Sequence, residues 1–139
     1  LGRRYFMIKV NINTLMSVKS VLQELANTKM PAKQSFKILR TLKAVDAEYA
    51  SIEEVQRNMI TNYGKKDENG EYVLDPEGRG YLIAEEHQEE FSKEMGELLT
   101  TEVELECEKI NMSMFDNMDL SPNQLLAIEP FVEMDEVDE

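Results

Sequence analysis

The sequence predicts an α+β protein: a long helical hairpin plus a third helix with a small antiparallel sheet. Three observations carry this expectation. Apolar residues recur at intervals of three and four from Pro31 to Tyr63, which is the period of one long helix. Two short stretches, 6–12 and 102–108, alternate with period two, as half-buried strands do. Turn-forming residues, Gly64, Asn69-Gly70, Asp75-Pro76, Gly78 and Gly80, crowd one region between the helical stretches.

In chain order, Phe6, Ile8, Val10 and Ile12 share one side of a first strand. Asn13 is suited to cap a helix over 14–27, where Leu15, Val18, Leu22 and Leu25 form an apolar face. Pro31 suits a first helical position because its missing N–H has no intrahelical partner there. The helix it opens runs through Phe36, Leu39, Leu42 or Val45, Tyr49, Ile52, Val55 and Met59 to Tyr63, and Gly64 is expected to end it in a left-handed conformation. At 1.5 Å per residue this rod is ~50 Å long, more than a small globule needs. Asn69-Gly70 predicts a two-residue type I′ turn, with a strand over 71–75 joining 6–12 and 102–110 in one sheet. Ala84, His87, Phe91, Met95 and Leu98 mark a helix over 81–101, and Ser121-Pro122-Asn123-Gln124 reads as a capping box opening a helix over 122–129. Residues 1–6 are set aside as a remnant of expression, 7–132 are expected to form one domain, and 133–139 to be an acidic, disordered tail.

Charge is distributed unevenly. The net charge is −13, yet the stretch 1–43 holds nine basic residues against the single acid Glu24. The remaining acidic surface repels phosphate over about 8–10 Å, which argues against nucleic acid as a ligand. No run of about 18 apolar residues occurs, so no membrane partner is expected, and the host cytoplasm or the virion is the expected location. One Cys, Cys107, and one His, His87, argue against a disulfide framework or a His- or Cys-rich metal centre. His87 reads as a structural histidine, and Cys107 as a small inward-facing residue of the strand it ends.

Motif searches nominate no catalytic, cofactor-binding or metal-ligating residue, and no cofactor is expected. A calcium-loop reading of Asp67, Asn69 and Gly70 fails, because its first ligand position is Lys65 and its terminal acid is Pro76. Gly78-Arg79-Gly80 lacks the glycine pattern of a phosphate loop. The outward glutamates of 102–108 diverge from any single coordination centre. The partner-binding candidates are instead Lys29, Lys33, Lys37 and Arg40, whose spacing places them near one side of a helical entry while Phe36 and Leu39 face the core, together with Leu125, Leu126 and Phe131 of the last apolar segment.

Met30-Pro31-Ala32-Lys33, the run Asn62 to Glu71, Glu89-Glu90-Phe91 to Leu98-Leu99, the Glu102 to Glu108 strand, and Leu120-Ser121-Pro122 to Pro130 occur in an order that resembles a family of small uncharacterised proteins of tailed phages and prophages of Gram-positive bacteria. The resemblance extends from Met7 to about Glu133 and departs at Gly78-Arg79-Gly80, which looks like an insertion. It implies a phage origin, often near tail or lysis genes, and supplies no catalytic residues. The expected function is a non-enzymatic role in virion assembly or structure, in tail or head, through protein–protein contacts with a phage structural or host protein. An acidic inhibitor of a host or defence protein and an enzyme of unrecognised class are the alternatives. Self-association through the outer half of the long helix is expected as well, with Tyr49→Glu or Ile52→Glu dissociating the oligomer.

Overall fold

A computed structural model describes residues 5–134. The fold is α+β, with four α-helices among the described residues and a small antiparallel sheet. Within the stretch expected to form the domain, the chain divides into two compact units: one built from residues up to Tyr49 together with those from Glu102 onward, the other from Ala50–Thr101.

In the first unit, β1 (Phe6–Asn11) pairs antiparallel with β2 (Glu102–Cys107), from Phe6 opposite Cys107 to Asn11 opposite Glu102. The period-two pattern sets the faces. Ile8, Val10, Leu105 and Cys107 are buried, while Lys9 lies outside with its Nζ 3.3 Å from Glu102 and 3.8 Å from Glu104. The expected third strand, 71–75, does not join this sheet, which has two strands. Phe6, assigned to the N-terminal remnant, is its first paired residue.

Helix α1 (Ile12–Ala26) begins directly after β1. Its cap is Asn11, whose Oδ1 accepts the Thr14 N–H at 2.8 Å, rather than Asn13, because Ile12 is already helical and buried. Ile12, Leu15, Val18, Val21, Leu22 and Leu25 form its buried face. Helix α2 (Ala32–Tyr63) follows Pro31, whose carbonyl accepts the Ser35 N–H at 3.0 Å. Lys19 ties the α1–α2 hairpin, with its Nζ 3.6 Å from Asp46 Oδ1 and 4.1 Å above the Tyr49 ring. Helix α4 (Pro122–Ile128) packs on α1, and its expected capping box is present, with Ser121 and Gln124 each accepting the other's backbone N–H. Gln124 also donates to Glu24 Oε2 at 2.8 Å. Short strands β3 (Ile110–Asn111) and β4 (Val132–Glu133) pair in parallel, and Ile110, Met114, Phe115, Ile128 and Phe131 complete the core. The acidic tail expected from 133 therefore begins as a paired strand; from 135 it lies outside the described residues.

The core face of α2 includes the expected Leu42, Val45, Ile52 and Met59 and departs from the expected one at Phe36, Leu39 and Val55. Ile38, Val45, Ile52 and Met59 are buried at intervals of seven, with Thr41 and Leu42 beside the first two. Phe36 and Leu39, assigned to the core, are exposed, since Phe36 sits about 200° around the helix from Ile38.

The second unit contains the rest of α2, an irregular knuckle, and α3 (Gln88–Thr100), which a 3₁₀ turn at Glu85–His87 precedes. The helix expected from 81 therefore starts later, and 81–84 belong to the knuckle. Three segments of the knuckle close on one another: Lys65 donates its N–H to Leu82, Leu82 to Val73, and Val73 back to Lys65, each at 2.9 Å. The loop at Asn69-Gly70 is not a type I′ turn. Only Gly70 has positive φ, at 78°, while Asp67 Oδ1 accepts the N–H groups of Asn69 and Glu71. Gly64 is not left-handed either. It is required for space, because a Cβ there would stand 2.5 Å from the Ile60 carbonyl and 2.7 Å from the Tyr72 ring.

Candidate functional site

The first turns of α2 project Lys33, Lys37 and Arg40 at intervals of four and three, so the three share a helical face. Together with Phe36 and Thr41 they form one wall of an open groove of about 730 Å³. Glu108, Lys109, Ile110 and Glu133, from the end of β2 through β3 and from β4, supply the other. Four cations and two carboxylates thus line it, on a molecule whose overall charge is strongly negative.

The cations are held differently. Arg40 is anchored: its Nη1 lies 3.5 Å from Glu108 Oε2, its Nη2 donates to Tyr5 Oη at 3.3 Å, and its guanidinium stands 5.6 Å from the Phe36 ring centre. Lys109 lies 4.9 Å above the Phe6 ring. Lys33 and Lys37 form no ion pair among the described residues, and both are exposed. Phe36, 55% exposed, places an aromatic face beside them. The groove therefore offers two exposed ammonium groups without ion pairs among the described residues, one fixed guanidinium and an uncovered apolar surface, a combination suited to an acidic segment carrying an apolar side chain.

Of the sequence candidates, the structure brings Lys33, Lys37 and Arg40 together and leaves Lys29 out. Lys29 lies in the connection between α1 and α2 and does not line the groove, because the helical spacing starts only at Ala32. Leu125 is half-buried and Leu126 is 67% exposed; with Met112, Pro122, Val132 and Met134 they border a second, apolar groove of about 540 Å³. Phe131 must be corrected: it is fully buried and belongs to the core, since the 3₁₀ turn after α4 directs it inward. Sequence reasoning missed Lys109, Phe36 and Tyr5. Lys109 had a signal, as a lone cation between an acidic strand and the buried Ile110.

Cys107 is buried, and that burial, reinforced by Glu108 and opposed by Lys109, pushes its thiol up to about 11. His87 is the last residue of the 3₁₀ turn and the N-cap of α3, 5.4 Å from the Tyr63 ring, with a buried Nδ1 that has no hydrogen-bond partner among the described residues. Tyr63 donates to Glu94 Oε1 at 2.7 Å; this bond to a carboxylate, then desolvation and the charges of Glu94 and Glu90, raise its pKa. Among the described residues no group of three or more His, Cys, Asp or Glu side chains is placed to hold a metal ion, and no helix is long and apolar enough to cross a membrane.

No protein-family model matches the chain, and no curated protein or solved structure matches it.

Proposed function

We propose that the chain is a non-enzymatic phage protein that acts in virion assembly, at the tail or head, by docking an acidic segment of another protein in the cationic groove of the first unit. One observation carries the reading: Lys33, Lys37, Arg40 and Lys109 gather with the exposed Phe36 around one groove, against the sign of the molecule as a whole. The excess of positive charge in the groove, four cations against two carboxylates, steers an acidic partner, and the apolar surface beside it slows release. The order of motifs resembling the phage and prophage family supplies the biological setting, with the host cytoplasm and the virion as the places of action.

The test uses individually produced head and tail proteins of a phage that encodes a protein of this kind, passed over the immobilised chain and over a Lys33→Glu/Lys37→Glu variant. The expected result is retention of one identified virion protein by the parent chain and a loss of about tenfold or more in affinity in the variant, whose circular dichroism is unchanged. Equal retention by the folded variant would remove the groove from the reading.

A further inference from the structure

The second unit carries the charge that the groove lacks. Along α3, Glu90, Glu94 and Glu97 are exposed and spaced by four and then three residues. Lys33, Lys37 and Arg40 have the same spacing on α2, four and then three. At 1.5 Å per residue both triplets span about 10 Å, with the middle charge at the same fractional height. Two helices laid side by side in the same direction can therefore match the charges in order. Glu90 and Glu97 form no ion pair among the described residues, and neither do Lys33 and Lys37. Glu94 accepts the Tyr63 hydroxyl at Oε1, which leaves its second oxygen available on an exposed side chain. Glu85, Glu86 and Glu89 extend the acidic surface at the start of α3.

We infer that the groove of one copy receives the acidic face of α3 from a second copy of this chain. The inference rests on the reading of the groove as a docking surface and names its occupant. Both halves of the contact are present in one sequence with matching intervals; a partner of unrelated sequence would have to reproduce that spacing. Glu90, Glu97, Lys33 and Lys37 form no ion pair among the described residues, while Arg40 and Glu94 each keep an intramolecular partner, Glu108 and Tyr63. Phe36 lies between Lys33 and Lys37 in sequence and lines the same groove, where it covers the aliphatic stems of the incoming glutamates. Each copy offers one groove and one acidic helix, so two reciprocal contacts close a dimer and a single one propagates a chain.

Sedimentation velocity of the full chain, from about 10 μM to about 500 μM in dilute salt, tests this. The expected result is a mass that rises with concentration and an association weakened about tenfold or more when sodium chloride is raised to about 500 mM. Lys33→Glu/Lys37→Glu alone and Glu90→Lys/Glu97→Lys alone should remain monomeric, whereas an equimolar mixture of the two should associate, since one supplies an intact acidic helix and the other an intact groove. The neutral versions, Lys33→Gln/Lys37→Gln and Glu90→Gln/Glu97→Gln, serve if charge reversal disturbs folding. A concentration-independent monomer, or reversed variants that associate like the parent, would overturn the inference. Fluorescein-labelled hexaglutamate separates the two levels: a monomeric parent chain that still binds it through Lys33 and Lys37 sinks self-pairing and leaves the docking groove standing, and loss of both sinks both.

Discussion

Arg40 and its neighbours Lys33 and Lys37 look alike in sequence and are expected to behave differently when replaced. Arg40 holds Glu108, Tyr5 and Phe36 together, so Arg40→Ala should cost about 1–2 kcal/mol in urea unfolding, whereas Lys33→Ala and Lys37→Ala should stay within about 0.5 kcal/mol. The last apolar segment divides in the same way. Phe131→Ala removes a fully buried ring and should cost about 3–5 kcal/mol, while Leu126→Ala, on the surface, should leave stability nearly unchanged. Cys107 adds a pH dependence of definite sign. Its thiol titrates from an ordinary 9.0 in the unfolded chain to about 11 in the folded one, so the stability it contributes is complete below about pH 9 and is lost as pH rises toward 11. Urea midpoints measured from pH 8 to 11 should show this decline, and Cys107→Ala should flatten it; an equal decline in both proteins would assign it to other groups.

At the scale of elements, the long helix was legible along its whole span, and its orientation only beyond its first turns. Its span, from Ala32 to Tyr63, follows from apolar periodicity between Pro31 and Gly64, and the β1 and β2 strands and the capping box at Ser121 are read from equally local signals. Its inward face is set by a seven-residue interval, Ile38, Val45, Ile52 and Met59, which competes with the more conspicuous Phe36 and Leu39. In the first turns Phe36 and Leu39 stood in the place of Ile38, and that part of the groove was hidden with them, since Phe36 was expected in the interior. Lys109 carried a local signal but no sign of its location, since its place beside α2 depends on a strand pairing about 100 residues apart in sequence. The same orientation changes the meaning of one substitution. Ile52 is buried, so Ile52→Glu should unfold its surroundings rather than separate copies of a folded chain, with lost helicity as the readout. In the knuckle, Gly64→Ala should cost about 1–3 kcal/mol, because the obstructing atom nearest the new Cβ is a backbone carbonyl of the preceding helical turn and cannot swing aside.

The whole molecule distributes its apolar interior unequally. Among the described residues, the fully enclosed hydrophobic side chains of the second unit are Ile52 and Met59, and α3 has none, whereas the first unit encloses two faces of α1 and β1 together with Ile110, Phe115, Ile128 and Phe131. Amide hydrogens of α3 and of α2 beyond Ala50 should therefore exchange about tenfold or more faster than those around Leu42 and Val45; uniform protection along α2 would contradict this. The pairing of β1 with β2 also has a consequence in time. Roughly 90 residues separate Asn11 from Glu102, so during synthesis at about 5–20 residues per second β1 waits roughly 5–20 s for its partner to be made. Through that interval Ile8 and Val10 sit on an unpaired strand edge, open to other nascent chains. The second unit is continuous in sequence and is complete before β2 is translated, and its folding shortens the loop that β1 and β2 must close. Slower translation across 50–101 would lengthen the wait without bringing β2 any nearer, so the yield of soluble chain should respond to translation speed in that stretch more than to speed after Cys107.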